Sequence, residues 1–264
     1  MTTQTNFKRY ELKYLLSDEQ LHLMQEAMQG RMQPDRFFSS TVRSLYFDTD
    51  SCQLIRHSLE HPVYKEKLRL RSYGRAEADS PVFVELKKKY QSVVYKRRIA
   101  LPLGEAEDWI RGGALPDTAS RFTPGALPDT ASRFTPGEQQ ILHEIEYFIN
   151  FYQTLAPAAL ITCDRTAYTG IEQPDLRITF DTDVLARTHD MSLGGEIYGT
   201  GLLPEGKTLM EIKTGGGMPL WLTDALTRGR IYRQTFSKYG AAYQTLIYPA
   251  GRAVEHRKGE RRYA

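Results

Sequence analysis

Cysteine is nearly absent: Cys52 and Cys163 are the only two in 264 residues. Two thiols make neither a disulfide framework nor a zinc site, so a reducing, cytoplasmic setting is expected. Long apolar runs are missing as well, which argues against a transmembrane helix, though not against a membrane partner. The opening MTTQTNFKRYELK has no apolar stretch of the kind a secretory signal needs. The 16 tyrosines do not cluster, so a stacking surface for nucleic acid is not expected. Regular alternation of strands and helices is also lacking, which speaks against a parallel sheet.

A large net charge is absent too, since the chain carries only +3. The distribution is uneven, however. Pro62–Arg98 holds 11 Lys and Arg against four acids. A focused positive field in an otherwise neutral body points to a small anionic ligand in a defined place. A further +3 sits in the tail from Gly251 to Ala264, which reads most simply as a solvated terminus.

One motif invites a nucleotide reading. Gly201–Thr208 is GLLPEGKT, a literal G-x-x-x-x-G-K-T. A phosphate-binding loop of that kind follows a buried strand and opens a helix. Here the glycine-bearing MSLGGEIYGT precedes it, and LMEIK and three glycines follow. The match is therefore expected to be a coincidence in a loop leading into a strand.

The periodicities predict strands over Tyr10–Leu16, Val42–Phe47, Tyr64–Tyr73, Val82–Lys89, Val93–Leu103, Ala159–Tyr168, Leu176–Asp181 and Leu209–Lys213. Three of these follow one another directly as an antiparallel meander. Helices are predicted after Ser17, which forms a capping box with Gln20, and over Ser51–Leu59, Glu138–Thr154, Pro219–Arg228 and Ser237–Leu246. The 12 residues Gly113–Pro124 recur identically as Gly125–Pro136. Two copies bury no core, so 113–136 reads as a surface insertion within one domain, 1–250, followed by the tail, 251–264.

The chemistry lies in the period-two strands. Lys65, Lys67, Arg69 and Arg71 alternate with Glu66, Leu68 and Leu70 and so share a face. Glu85, Lys87 and Lys89 share another, as do Lys96 and Arg98. Glu11 and Lys13 alternate near the start, following Arg9; Glu211 and Lys213 alternate near the end. Arg165 and Arg177 lie on two further strands. Such faces repel themselves unless an anion sits among them. An antiparallel eight-stranded barrel with its charged faces inward would make that site. Arg suits bidentate phosphate contacts and Lys supplies point charge. Inward glutamates suit a divalent cation bridging phosphate oxygens.

Other groups carry weaker signals. His57 and His61 are four apart, but Pro62 follows and no third metal ligand is near. Cys163 reads as a small buried thiol. Gly215–Gly217 reads as a turn that could also cradle phosphate. Asp181 and Asp183 either assist a metal or hydrogen-bond a turn.

The succession RYELKY, SLYFDT, KLRLRSYG, VFVELKKK, a K-x-R strand, DRTAY, LRITFD, LMEIK and FSKYG resembles the catalytic domain of the VTC (vacuolar transporter chaperone) family, within the CYTH or triphosphate tunnel metalloenzyme superfamily. The resemblance implies an α+β fold: an antiparallel eight-stranded β tunnel barrel with flanking helices. It implies a metal-dependent polyphosphate polymerase that passes the γ-phosphoryl group of ATP to orthophosphate or a growing chain, with Mn2+ or Mg2+ as cofactor. Its phosphate cage would comprise Lys13, Arg69, Arg71, Lys87, Lys96, Arg98, Arg165, Arg177 and Lys238, and its main metal ligand would be Glu211. The faces add Lys67, Lys89 and Lys213 to the phosphate contacts, and Glu85 and Glu11 to the metal. Arg69, Arg71, Arg165, Arg177 and Lys87 are the expected catalytic cations. The superfamily's E-x-E-x-K reads Arg9-x-Glu11-x-Lys13 here, which weakens a two-metal hydrolase and suits the VTC branch. Alternatives are a triphosphatase, and a non-catalytic binder of polyphosphate or inositol phosphate.

Overall fold

A computed structural model describes residues 10–91, 93–116 and 133–249. Arg9, most of the duplicated segment and the basic tail lie outside the described residues. The fold is α+β. Eight strands follow the hydrogen-bonded order β1-β9-β7-β6-β2-β3-β4-β5, with a two-residue strand, β8, paired to β7. Their bounds are β1 Tyr10–Leu16, β2 Met32–Asp48, β3 Tyr64–Tyr73, β4 Pro81–Tyr90, β5 Val93–Pro102, β6 Ala156–Gly170, β7 Arg177–Arg187, β8 Thr200–Gly201 and β9 Thr208–Thr214. The helices are α1 Asp18–Met28, α2 Gln53–Leu59, α3 Leu103–Ile110, α4 Pro136–Tyr152, α5 Leu220–Arg228 and α6 Lys238–Ala242. A π-helical turn, Tyr243–Ile247, continues α6. No helix among the described residues is long and apolar enough to cross a membrane.

The chain forms two compact units. The first takes residues 1–42, 161–188 and 197–264. In it β9 pairs antiparallel with both β1 and β7. Alternation sends Tyr14, Leu16, Ile178, Phe180, Met210 and Ile212 to one face, where they join Met24 of α1 and Leu222 of α5 in a buried core. The expected capping box holds α1 in place: Ser17 Oγ accepts from Gln20 N, and the Gln20 side chain accepts from Ser17 N.

The second unit takes 43–160 and 189–196. It contains the predicted antiparallel meander β3-β4-β5. Leu68, Leu70, Val82, Val84, Leu86, Ile99 and Leu101 form its apolar face and share a core with Trp109 of α3 and Leu142, Ile145 and Phe148 of α4. On α4 the buried positions are Leu142, Ile145, Phe148 and Ile149, with Ile141 and Tyr152 partly buried against the same core.

Several elements differ from expectation. β2 begins ten residues before the predicted Val42, through Pro34, Asp35, Ser39 and Ser40, which look like turn residues. That early stretch is largely exposed, where side-chain polarity is no obstacle to a strand. α3 is a helix not expected from the sequence, beginning where the expected strand ends: Pro102 is its N-cap, and Leu103, Ala106, Trp109 and Ile110 carry helical spacing. The P-loop match runs from β8 through a turn with Gly206 at φ +65° straight into β9, so no helix opens there and the coincidence reading holds.

Asp48, the acid of SLYFDT, anchors α2. Its Oδ1 accepts from Thr49 N and Leu54 N, both at 2.8 Å, and its Oδ2 accepts from Ile55 N at 3.0 Å. The residue is 1% exposed, so these donors have no water to fall back on. Asp48→Ala should lower unfolding stability by about 1–3 kcal/mol, read by urea denaturation, with Asp48→Asn losing less.

Candidate functional site

The second unit's charged face is built by register. Lys65 lies opposite Lys89, Lys67 opposite Lys87, and Arg69 opposite Glu85. On the other side of β4, Glu85 lies opposite Arg98 and Lys87 opposite Lys96. Directly opposed residues share a face, so these pairs bring seven predicted cations and one acid together, and alternation along β3 adds Arg71.

Glu85 organises them. It is only 1% exposed. Arg69 meets Oε2 through Nε at 2.8 Å and Nη2 at 2.6 Å, and Lys96 Nζ lies 2.6 Å from Oε1. The Nε atoms of Arg98 and Arg71 stand 3.6 and 4.0 Å from the carboxylate. Burial works against the ionised carboxyl, but Arg69, Arg71 and Lys96 outweigh it and hold Glu85 well below the usual range. Glu85 is thus the counter-ion of the basic face. A metal at Glu85, as expected from the sequence, would compete with these cations for its oxygens.

β2 adds two groups that sequence reasoning missed. Tyr46 Oη accepts from Arg69 Nη1 at 2.9 Å, and Ser44 Oγ accepts from Arg71 Nε at 3.1 Å. Their spacing of two in a predicted strand was the available signal. Burial opposes ionisation of Tyr46, yet Arg69, Arg71 and Lys67 pull it down to about 8. Lys96 also falls to about 8, because burial together with Arg69 and Arg71 outweighs Glu85. Burial and the nearby Lys89 and Lys87 ammoniums push Lys65 down.

The first unit carries a second charged face. Glu11 lies opposite Lys213, and Lys13 opposite Glu211. On the other side of β9, Arg177 lies opposite Lys213 and Thr179 opposite Glu211. Lys13 Nζ donates to Phe236 O at 3.0 Å and lies 3.3 Å from Glu11. Lys213 Nζ lies 2.7 Å from Glu211 Oε1. Burial works against ionisation of Glu211, but Lys213, Lys13 and Arg165 hold it well below the carboxylate range. Arg177 is the outlier of this face, pairing with Asp35 at 2.8 Å and remaining 45% exposed.

Asp181 takes neither of the roles considered for it, metal or turn. It is fully buried and binds Arg165 through Nε and Nη2 at 2.6 and 2.7 Å, and Lys238 Nζ at 2.5 Å. It therefore fixes two of the predicted phosphate cations. Lys238 also lies 3.0 Å from Cys163 Sγ.

The remaining groups find ordinary employment. His57 Nε2 lies 3.0 Å from Tyr64 O, and among the described residues no group of three His, Cys, Asp or Glu is placed to hold a metal. Gly215 N donates to Asp175 Oδ2 and Gly216 N to Thr214 Oγ1, which makes the glycine run a turn after β9.

The two faces thus gather phosphate-type cations around buried carboxylates on antiparallel strands. The family model of the VTC domain matches residues 8–247, and the chain belongs to that family. Comparison with curated proteins finds no match. Among solved structures, the chain is similar to HpAC1 of Hippeastrum, a protein named for adenylyl cyclase and described as having a dominant triphosphatase activity. The two share 16% identity at a TM-score of 0.49, covering 89% of this chain and 94% of that one. It is also similar to a Bacillus halodurans protein named for adenylate cyclase, at 15% identity and a TM-score of 0.47, covering 87% and 95%. At these scores neither likeness assigns an activity to this chain.

In the folded protein one tyrosine should ionise near pH 8, and Tyr46→Phe should remove that step from the near-ultraviolet tyrosinate titration. Above that pH the folded chain has shed protons from Tyr46 and Lys96 that the unfolded chain keeps. These two groups therefore make stability rise between about pH 8 and about 10, and Tyr46→Phe should flatten that rise.

Proposed function

We propose that this chain is a metal-dependent phosphotransferase that moves the γ-phosphoryl group of ATP to orthophosphate or to the end of a polyphosphate chain. The observation that carries the reading is the environment of Glu85. Four cations converge on one buried carboxylate, an excess of three positive charges, in a member of the VTC family. Such crowding calls for a multiply charged anion, and a triphosphate supplies one.

On the β3-β4-β5 face, Arg69, Arg71 and Lys87 neutralise oxygens of the transferring group, while Lys67, Lys89, Lys96 and Arg98 hold neighbouring phosphates. Glu85, Tyr46 and Ser44 keep the two guanidiniums aimed, so little reorganisation is needed when charge shifts. On the β1-β9-β7 face, Lys13, Arg165, Arg177, Lys213 and Lys238 meet phosphate oxygens, and Asp181 sets the direction of Arg165 and Lys238.

Glu211 and Glu11 fit a hard divalent cation, Mn2+ or Mg2+, because they offer oxygen only and Glu211 stays ionised though buried. Such an ion would supply Lewis-acid neutralisation of phosphate oxygens. An acceptor oxygen forms the new bond to the γ-phosphorus as the bond to the β-phosphate oxygen breaks and ADP leaves. Orthophosphate and a chain end are already anionic, so positioning and charge neutralisation suffice without a dedicated base.

The test is turnover of ATP with Mn2+ by the full chain, with polymer separated from orthophosphate. Polyphosphate is expected, and Arg71→Ala and Glu211→Ala should each cut turnover by about 100-fold. Wild-type rates in both variants would refute the site. Orthophosphate without polymer would make the chain a triphosphatase, and binding without turnover a polyphosphate or inositol phosphate binder.

A further inference from the structure

Thr179 holds a hydroxyl that the fold leaves unused. The residue is 1% exposed, and among the described residues its Oγ1 has no hydrogen-bond partner. Buried hydroxyls are normally satisfied, and valine, which has the same shape, would fill this place in a strand without leaving a polar atom unpaired. Thr179 therefore bears a cost that needs a reason.

Its position supplies one. Thr179 is the third residue of β7, directly opposite Glu211 on β9, between Arg177 and Asp181 on the charged face. The nearby cations are otherwise engaged: Arg165 with Asp181, Lys13 with Glu11 and Phe236 O, and Lys213 with Glu211 Oε1. Among the described residues, Oε2 of Glu211 carries no ion pair. Thr179 and Glu211 thus put a hydroxyl and a carboxylate on the same face of one strand pair, both residues buried and both able to donate electron density. Hydrogen bonding between them is not made, whereas a small hard cation takes both as ligands.

We propose that Thr179 Oγ1 supplies an oxygen to the coordination shell of the divalent cation held by Glu211. The inference rests on the reading that Glu211 holds metal, and it adds a ligand from β7 that no acidic motif reveals. Thr162 is an internal comparison. Its Oγ1 is also buried without a partner, but it alternates with Cys163 and Arg165 on β6 and so belongs to the opposite side of that strand.

The test is direct titration of the nucleotide-free full chain with Mn2+, read by electron paramagnetic resonance of the unbound ion. Thr179→Val should weaken Mn2+ binding about tenfold, Thr179→Ser should stay within about twofold of wild type, and Thr162→Val should match wild type. Thr179→Val should melt no lower than wild type, since it removes an unsatisfied buried hydroxyl and keeps the shape. Wild-type Mn2+ affinity in Thr179→Val overturns the inference. So does equal loss in the valine and serine variants, which would mean disturbed packing and not a missing oxygen. Glu211→Gln separates this failure from failure of the underlying reading. If it abolishes binding while Thr179→Val does not, the metal stays at Glu211 without Thr179. If it binds Mn2+ like wild type, the metal assignment itself falls.

Discussion

The contact between Glu85 and the cations around it is the constraint on which the second unit depends. β3, β4 and β5 each turn an apolar face to the core of Leu68, Val84, Leu86 and Ile99. Alternation then commits the opposite face to whatever lies between those residues, and here that is mostly Lys and Arg. Like charges directly opposite one another destabilise a sheet. Lys65 opposite Lys89 and Lys67 opposite Lys87 are two such pairs. One carboxylate at the centre of the face, bonded to Arg69 and Lys96 and close to Arg71 and Arg98, relieves part of that repulsion. It does not relieve all of it, and the residue of uncancelled charge is what a polyanion can use.

The first unit solves the same problem with Asp181. A fully buried aspartate carries a large desolvation cost, met here by a bidentate arginine and a lysine. In both units the acid closest to the cations is spent on holding them in place. Freed of Asp181, Arg165 would be a flexible side chain with several rotamers to lose on binding a phosphate. Held by it, the guanidinium is already ordered, and the entropy is lost at folding instead of at binding.

Much of this was legible in the sequence because strand alternation is a strict rule. Once KEKLRLR and FVELKKK are strands, which side chains share a face follows without knowledge of the tertiary fold, and the register adds only which of them meet. What escaped the sequence depends on pairing between distant segments. That cations from β3 and β5 surround Glu85 cannot be read from β4 alone. Asp181 likewise looked ambiguous because its partners, Arg165 and Lys238, come from β6 and α6. Thr179 and Tyr46 were invisible for another reason: a threonine or tyrosine in a strand is ordinary, and only burial and an opposed partner make it notable. The extended start of β2 and the helix α3 were missed on local grounds, where exposure tolerates Pro34 and Asp35 in a strand and where a Leu-Pro-Leu junction hides a helix start.

The distribution of carboxylates carries the argument one step further. Among the described residues, four acids sit among the cations of the two charged faces, and they are not equivalent. Glu85 and Asp181 each have both oxygens in contact with cations, so a metal at either would have to displace arginine or lysine from a buried ion pair and leave that cation stranded. Removing one partner of a buried pair is costly because the other charge is left uncompensated. Glu11 is partly exposed and pairs with Lys13 at 3.3 Å, a looser contact. Glu211 is buried and ionised, and among the described residues it is paired at one oxygen, with Lys213. Physical selection among the four therefore favours Glu211 first and Glu11 second as oxygen donors to a cation, and it does so from the ion pairs alone, independently of any motif.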